Sequence, residues 1–388
     1  MTPPAPTTSP IPFVWHPRTR RHVPQSQFRM GVRRPSPEVV DRVNAIRDVL
    51  LRAGHPEVTA RDPHPDELLA VHGAGLLEHL RTIHDAWVVA GHPRERGQDR
   101  VVPTIFPTPG MLGELPLRRA SAAAARAGQY CYDTTTLIGP GTWDAAEAAT
   151  GAAVTAAELV ADAAWVAPGE GARTNPVSRP DGAAPLAYAL CRPPGHHAAA
   201  DAFGGGCYLN NAAVAAAALR HRGARRVAIL DVDAHHGNGT QTIFYQRADV
   251  FVGSAHVDPG AGFFPHFLGF ADETGRHAGL GTTCNIPLPP RSGDDRWLEA
   301  VETLVGEARA FGAEALVVAL GVDASSEDPS SPMRISRDGL RATGILCGML
   351  GLPTVVVQEG GSHLKSLGAL VAEALAGVAE GAQRAARP

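Results

Sequence analysis

The sequence predicts an α/β fold, in which a parallel sheet lies between two layers of helices. Short apolar runs alternate with helical patterns from residue 186 onward, and several of these runs end in polar or charged residues. Neither an internal repeat nor a clear domain boundary interrupts this alternation, which is typical of parallel sheets covered on both faces. We therefore expect a single domain over residues 13–388, preceded by a loose Pro- and Thr-rich arm over residues 1–12.

The N-terminal half shows helical patterns and two loops. Residues 91–116 are rich in Pro, Gly and charge and lack periodicity, which is typical of a functional surface loop or a disordered stretch. Residues 170–184 form a second loop, rich in Gly, Pro and Arg. Apolar residues at helical spacing predict helices over residues 37–53, over residues 67–90 with a break near residues 73–75, and over residues 143–163.

The C-terminal half alternates strands with helices. Because the carboxyl ends of parallel strands meet at one edge of a sheet, we expect the loops after these strands to converge where open α/β sheets bind ligands. The strands are predicted over residues 187–191, 227–232, 250–254, 315–321 and 354–357, and the helices over residues 211–221, 297–311, 340–350 and 368–380.

Composition and charge argue against several classes of protein. The 388 residues are 44% hydrophobic and 19% charged, which is typical of a globular chain. A net charge of -4 gives no electrostatic case for nucleic acid or an anionic membrane, and no apolar stretch approaches the length of a membrane span. The five cysteines are scattered and no signal-peptide pattern is present, so we expect reduced thiols and a cytoplasmic protein.

A cluster of potential metal ligands follows the predicted strand at residues 227–232. Asp231, Asp233 and His235 alternate at period two, so they leave the sheet edge on one side. A single such residue would be an ordinary polar loop residue, but this concentration favours a site. Asp323, which follows another apolar strand, adds a second carboxylate. Three such ligands with an open position are typical of catalytic zinc, although mixed nitrogen and oxygen sites also accept iron or cobalt.

His196 and His197 form a second cluster. They follow the sequence RPPG, whose prolines and glycine restrict the backbone. Two imidazoles beside a zinc-activated water can take its proton and later protonate a leaving group. Asp231 and Asn238 are available to orient them. Because an aspartate favours the imidazolium and an amide does not, we expect the two histidines to titrate differently.

These motifs resemble the histone deacetylase superfamily, in particular its bacterial acetylpolyamine amidohydrolase and class II-like branch. The resemblance extends over nearly the whole chain beyond the N-terminal arm, with weaker similarity in YDTTTLIGPGTW (132–143). The matching stretches are CRPPGHHA (191–198), GGGCYLNNAA (204–213), LDVDAHHGNGTQTIFY (230–245), SAHVDPGAGFFPHFLGFADETG (254–275), NIPLP (285–289), LGVDASSEDP (320–329) and QEGG (358–361).

The resemblance implies an arginase/deacetylase fold with an eight-stranded, mostly parallel sheet. It implies zinc on Asp233, His235 and Asp323. It also implies a structural potassium ion held by backbone carbonyls around Asp231, Asp233 and His235 and by Ser254.

The resemblance also assigns roles to the two histidines. His197, paired with Asn238, matches the general base of the family. His196, paired with Asp231, matches its electrostatic or acid partner. The division of labour between the two histidines stays open.

On the substrate side, the resemblance implies a channel. Asp133 matches a carboxylate at its rim, and Gly205, Gly206 and Gly361 fall at substrate-binding positions. Residues 91–116 lie where polyamine-type relatives carry a loop that narrows the entrance and takes part in dimerisation, so a homodimer is implied.

Two departures from the family pattern bear on activity. Ser362 occupies the position of a tyrosine whose hydroxyl hydrogen-bonds to the oxyanion, and losing one such donor typically costs about 10²–10³ in rate. His363 could substitute if the loop turns differently. Gly206 stands where relatives place Phe or Tyr, so one wall of the channel is open to a bulkier acyl group.

We therefore predict a zinc-dependent amidohydrolase that removes an acyl group from an N-acylated amine, which is polyamine-like or a specialised small metabolite. Two alternatives stay open. One is a zinc-containing protein that binds acyl groups with weak or no hydrolysis. The other is a related zinc site that serves a different acyl-transfer or hydrolytic reaction.

Overall fold

The computed structural model describes residues 10–29, 31–92, 100–165, 177–179 and 181–387. Its centre is an eight-stranded sheet in which every pair of neighbouring strands is parallel, and a separate antiparallel hairpin pairs β2 with β3. The strands are β1 (Phe13–Trp15), β2 (Ser26–Arg29), β3 (Val32–Pro35), β4 (Glu57–Thr59), β5 (Leu186–Ala189), β6 (Val227–Asp231), β7 (Val250–Val257), β8 (Thr283–Leu288), β9 (Ala315–Leu320) and β10 (Thr354–Gln358).

The spatial order of the large sheet is β4-β1-β5-β10-β9-β6-β7-β8. Helices cover both of its faces, and no described helix is long and apolar enough to cross a membrane. The helices are α1 (Asp41–Arg52), α2 (Pro65–Leu69), α3 (Ala74–Val89), α4 (Pro109–Leu112), α5 (Ala123–Arg126), α6 (Thr142–Trp165), α7 (Asn211–His221), α8 (Asn238–Phe244), α9 (Asp294–Phe311), α10 (Arg337–Gly348) and α11 (Leu364–Ala385).

The alternation of side chains along the strands divides the core into two layers. In β6, Ala228 and Leu230 join the core that α1, α9, α10 and α11 cover, whereas Val227 and Ile229 join the core under α6 and α7. Because both faces are buried, the central strands read as continuous apolar runs, which is typical of parallel sheets. The predicted fold is confirmed.

The structure corrects several predicted boundaries. Five strands were missed, namely the two of the hairpin and three of the large sheet: β1 and β4 have only three residues each, which is too short for a recognisable pattern, and β8 contains Pro287. Strand β7 continues to Val257, beyond the predicted end at residue 254. Residues 1–9 of the predicted arm lie outside the described residues, but Ile11 and Pro12 are buried, and the amide of Ile11 donates to the Nδ1 of His55 at 2.9 Å. These two residues therefore belong to the domain.

The two predicted loops are described in part. Residues 93–99 and 166–176 lie outside the described residues. Within residues 91–116, Val101 pairs with Ile138 in an isolated antiparallel bridge, and the short helix α4 follows.

Candidate active site

Three side chains of metal-ligand type converge beyond the carboxyl ends of β6 and β9. Asp233 and His235 follow β6 and Asp323 follows β9, and these two strands are neighbours in the sheet. The Nδ1 of His235 lies 3.0 Å from an oxygen of Asp323 and 3.4 Å from an oxygen of Asp233. One ligand atom from each residue lies within 4.8 Å of the other two. The structure thus brings together the three residues predicted to hold zinc.

The charge of this cluster fits a divalent cation. Burial raises the pKa of Asp323, and the neighbouring charge of Asp233 raises it further. Two buried carboxylates at this distance repel each other, and a cation between them would remove that repulsion. Carboxylate oxygens and an imidazole nitrogen are ligands that zinc takes, so the residues fit this metal.

Two glycines allow the backbone to approach the metal-ligand carboxylates closely. The amide of Gly360 donates to Asp233 at 2.9 Å. A Cβ on Gly360 would clash with the same oxygen and would lie 2.9 Å from the carboxyl carbon of Asp323, and a Cβ on Gly321 would also clash with Asp233. Any side chain at either position would displace a ligand, and therefore both positions require glycine.

The two histidines lie side by side and meet different partners. Their ring centroids are 3.8 Å apart. The Nδ1 of His196 lies 2.9 Å from a carboxylate oxygen of Asp231, and the Nδ1 of His197 lies 2.8 Å from the side-chain oxygen of Asn238. All four residues are buried. Both predicted pairs are therefore present in the structure.

The different partners give the two imidazoles opposite pKa shifts. Burial alone would lower the pKa of His196, but the charges of Asp231 and Asp233 outweigh it and raise the pKa to about 10. Burial lowers the pKa of His197 well below its usual range, and the neighbouring charge of His196 adds to this effect. These opposite shifts favour the charged form of His196 and the neutral form of His197, which suits His196 to stabilise negative charge and His197 to accept a proton.

Glu359, at the end of β10, was assigned no role from the sequence. It is fully buried, and one carboxylate oxygen accepts from the amides of Gly195 and His196 at 2.6 and 3.1 Å. Its other oxygen has no hydrogen-bond partner among the described residues. Burial raises the pKa of Glu359 to about 7. Glu359 fixes the backbone of the histidine pair, and an acidic residue at the end of a central apolar strand was the available signal.

Asp133 makes several hydrogen bonds within the protein, and its contact with substrate at the channel rim stays a prediction. Its carboxylate accepts from the amides of Thr135 and Thr136 at 2.8 and 2.7 Å and from the amide of Gly205 at 2.5 Å. A Cβ on Gly205 would clash with the ring of His197. Asp133 is therefore committed to a turn that holds Gly205 against the histidine.

Gly361 is constrained by its backbone conformation and packing, and its contact with substrate stays a prediction. It has a φ of +120°, and a Cβ there would lie 2.7 Å from Val322 and 2.9 Å from Leu367. Its carbonyl accepts from the Nε of the buried Arg42 at 2.6 Å. The position demands glycine because of this backbone conformation and packing.

The model of the histone deacetylase domain matches residues 36–378. The chain belongs to the histone deacetylase family.

Several members of the histone deacetylase family cover almost the whole chain. It is 42% identical to the acetylpolyamine amidohydrolase of Mycoplana ramosa, over 89% of this chain and 93% of that one. It is 40% identical to the acetylpolyamine amidohydrolase of Burkholderia pseudomallei, over 91% and 94% of the two chains. The crystal structure of acetylpolyamine aminohydrolase from Burkholderia pseudomallei superimposes with a TM-score of 0.83 at 38% identity and covers 95% of this chain and 98% of that one.

Ser362 is the residue predicted to stand at the position of the family's tyrosine. Its hydroxyl and its amide both donate to Asp328 at 3.1 Å. His363, which was considered as a substitute, has its Nδ1 2.9 Å from the hydroxyl of Ser366 at the start of α11. Among the described residues, neither Ser362 nor His363 has a hydrogen bond to the three metal-ligand residues.

Open space lies at Gly206 and an aromatic side lies at Phe264, and the channel itself stays a prediction. Gly206 has a φ of +79°, and a Cβ there would meet no described atom within 4 Å. On the aromatic side, the ring of Phe264 meets the ring of His197 edge-on, with centroids 4.6 Å apart. Phe264 lies in a matching stretch but was given no role from the sequence.

The residues expected around potassium also lie close together. Ser254 in β7 is in register with Asp231 in β6, and both are buried. The hydroxyl of Ser254 lies 2.9 Å from the Nδ1 of His256. Potassium at this position stays a prediction.

Proposed function

We propose that this protein is a zinc-dependent amidohydrolase that removes an acyl group from an N-acylated amine, with acetylpolyamines as the substrate class. The observation that carries the proposal is the convergence of Asp233, His235 and Asp323 beside a histidine pair with unlike partners. Relatives named acetylpolyamine amidohydrolase, at 37–42% identity over most of the chain, supply the substrate class.

The residues of the proposed site would each have a distinct role in catalysis. Asp233, His235 and Asp323 would hold zinc, which when bound polarises an amide carbonyl and lowers the pKa of water to about 7. His197 donates its Nδ1 proton to Asn238, which leaves Nε2 free to accept a proton from the attacking water.

The same imidazole can return this proton to the departing amine. His196 stays charged because of Asp231 and stabilises the negative charge that develops on the substrate. Burial of both rings excludes bulk water, which strengthens these interactions.

We also propose that the protein is cytoplasmic and forms a homodimer. Support for a second copy comes from exposed apolar side chains on the 91–116 loop, where Ile105, Met111 and Leu115 are 65%, 63% and 74% exposed. Apolar exposure of this kind marks contact surfaces. Light scattering after size exclusion would test the dimer, and the triple substitution of these residues by Ser would be expected to yield monomer.

The test of the activity is turnover of a substrate panel by the zinc-loaded protein. The panel pairs N-acetylated diamines and polyamines with N-acetyl-lysine peptides, and each amine carries acetyl, trifluoroacetyl or a bulkier acyl group. We expect turnover of N-acetylated amines with free amine and carboxylate as the products by mass spectrometry. Products of any other bond cleavage or acyl transfer would replace this proposal with a different reaction.

Two variants test whether turnover depends on the proposed zinc site. Asp323→Ala is expected to lose zinc and turnover together, whereas the exposed Asp85→Ala should keep both. Unaltered turnover in Asp323→Ala would overturn the proposal.

The contact between Ser362 and Asp328 favours a second candidate, which is an acyl-amine binding protein with little hydrolysis. It predicts micromolar binding of N-acetylated amines by calorimetry with negligible turnover. It also predicts little gain from Ser362→Tyr, so a large gain would count against it.

A further inference from the structure

The hydroxyl of Tyr132 joins the backbone of His197 to the side chain that orients its ring. It donates to the carbonyl of His197 at 2.8 Å, and the amide nitrogen of Asn238 donates to it at 3.4 Å. The amide oxygen of Asn238 lies 2.8 Å from the Nδ1 of His197. Tyr132, Asn238 and His197 therefore form a closed ring of hydrogen bonds.

This ring of hydrogen bonds determines which way the amide of Asn238 faces. Because the single proton of the Tyr132 hydroxyl is used on the carbonyl of His197, the hydroxyl can only accept from Asn238. The amide nitrogen must then face Tyr132 and the amide oxygen must face His197. A flipped amide would place its oxygen against the lone pairs of the Tyr132 hydroxyl, and its NH2 group would either meet Nδ1–H of His197 or force the other imidazole tautomer.

The orientation of Asn238 in turn sets the tautomer of His197. An oxygen facing Nδ1 requires a proton on Nδ1, and this leaves the lone pair on Nε2. A base that takes a proton from water at the metal needs its lone pair on Nε2.

The ring of Tyr132 is held in place by packing and pairing. It lies nearly parallel to the ring of Phe264, at 18° with centroids 6.2 Å apart, and a Cβ on Gly204 would clash with its face. Its backbone amide donates to the carbonyl of Phe203 at 3.2 Å, next to the bridge between Cys131 and Phe203. These contacts hold the Tyr132 hydroxyl in one position beside His197 and Asn238.

We propose that Tyr132 is a positioning residue that fixes the proton-accepting tautomer of His197 through Asn238. The proposal rests on the proposed amidohydrolase function for its effect on rate. Its effect on the imidazole tautomer does not depend on turnover.

The first test is a double-mutant cycle on the zinc-loaded protein, with an N-acetylated diamine as the substrate. Tyr132→Phe keeps the ring and is expected to lower kcat about five- to tenfold, with KM within twofold, because one hydrogen bond is lost. In the Asn238→Asp background both side-chain oxygens accept, so the amide orientation no longer matters. There we expect Tyr132→Phe to change kcat less than twofold.

Tyr208→Phe is the matched control. The Tyr208 hydroxyl also donates to a backbone carbonyl, that of Leu137, at 2.8 Å, and is buried. Because Tyr208 is buried whereas Tyr132 is 37% exposed, we expect this variant to lose at least as much stability as Tyr132→Phe, with kcat unchanged. An equal loss from Tyr132→Phe in both Asn238 backgrounds, or an equal loss from Tyr208→Phe, would show a general structural effect and overturn the proposal.

The second test needs no activity. Nitrogen-15 chemical shifts of the histidine rings, with His197 assigned by its absence in His197→Gln, report which nitrogen carries the proton. We expect the Nδ1–H tautomer in the wild type and a mixture in Tyr132→Phe. An unchanged tautomer overturns the positioning role even if turnover is present. A wild type without turnover but with the expected tautomer change removes the amidohydrolase proposal and leaves this one standing.

Discussion

The hydroxyl of Ser362 donates to the carboxylate of Asp328, and the amide of Ser362 donates to the same oxygen, each at 3.1 Å. Asp328 is buried and also accepts from the amide and hydroxyl of Ser330 at 2.9 and 2.7 Å. Burial works against the charge, but these donors outweigh it and lower the pKa of Asp328. Ser362 is therefore part of a closed polar cluster and offers no free donor.

Ser362→Tyr is expected to raise kcat on acetyl substrates by at least about tenfold, because one oxyanion donor contributes about 10²–10³. Steady-state kinetics of the zinc-loaded protein measures this. Ser362→Ala, as the control, should change kcat less than about threefold, since the hydroxyl already serves Asp328. A Ser362→Ala variant without activity would show that the serine itself takes part in the reaction.

Gly360→Ala is expected to weaken zinc binding at least about tenfold, because its Cβ would displace the carboxylate of Asp233. Competition with a chromophoric chelator gives the affinity. The matched control is Gly306→Ala, whose Cβ on α9 meets no described atom within 4 Å and whose helix propensity improves by about 1 kcal/mol. Equal zinc affinity in both variants would contradict the close approach of Gly360.

His197→Ala is expected to lower kcat by about 10²–10⁴, the usual contribution of a positioned general base. Zinc content should stay that of the wild type, since His197 is not among the three converging ligand residues. The exposed His221→Ala on α7 serves as control and should keep full activity. If His197→Ala retained most of its turnover, another group would have to accept the proton.

His72 should make the protein less stable in mild acid. Burial lowers its pKa to about 4, while its Nδ1 lies 3.0 Å from the carbonyl of Ala199 and its Nε2 accepts from the amide of Asn210 at 2.9 Å. The unfolded chain takes up this proton below pH 6.5 and the folded chain only below about pH 4. The free energy of unfolding therefore falls as pH decreases from 6.5 to 4, by about 1.4 kcal/mol per pH unit and about 3 kcal/mol in all.

Urea unfolding between pH 4.5 and 7.5 measures this slope. His72→Asn is less stable at pH 7 but should show a slope smaller by about one proton. The exposed His221→Asn should keep the slope of the wild type. An unchanged slope in His72→Asn would assign the acid sensitivity to other buried histidines.

Much of the site could be predicted because its polar residues follow directly after predicted strands. Asp233, His235 and Asp323 each follow an apolar run, and the rule that parallel strands end at one edge brings them together. The partners predicted for His196 and His197 followed from the same argument and from the resemblance to the deacetylase family. These predictions require only the order of polar residues along the chain and do not depend on side-chain geometry.

Contacts between distant segments could not be predicted in the same way. The hydrogen bonds of Asp133 to Gly205 and of Ser362 to Asp328 depend on how loops pack across the sheet edge. No periodicity encodes them, and the isolated acidic side chains look like ordinary surface residues in the sequence. Glu359 is different, because its place at the end of a central apolar strand was an available signal that was not used.

The pairing of β6 with β9 also limits when the predicted zinc site can form. The ligand residues come from these two neighbouring strands, and β7, β8 and α9 lie between them along the chain. A nascent chain has no complete metal site until residue 323 has been synthesised and β9 has paired with β6. If zinc binds this site as proposed, it would therefore bind only after β9 has paired with β6, late in folding.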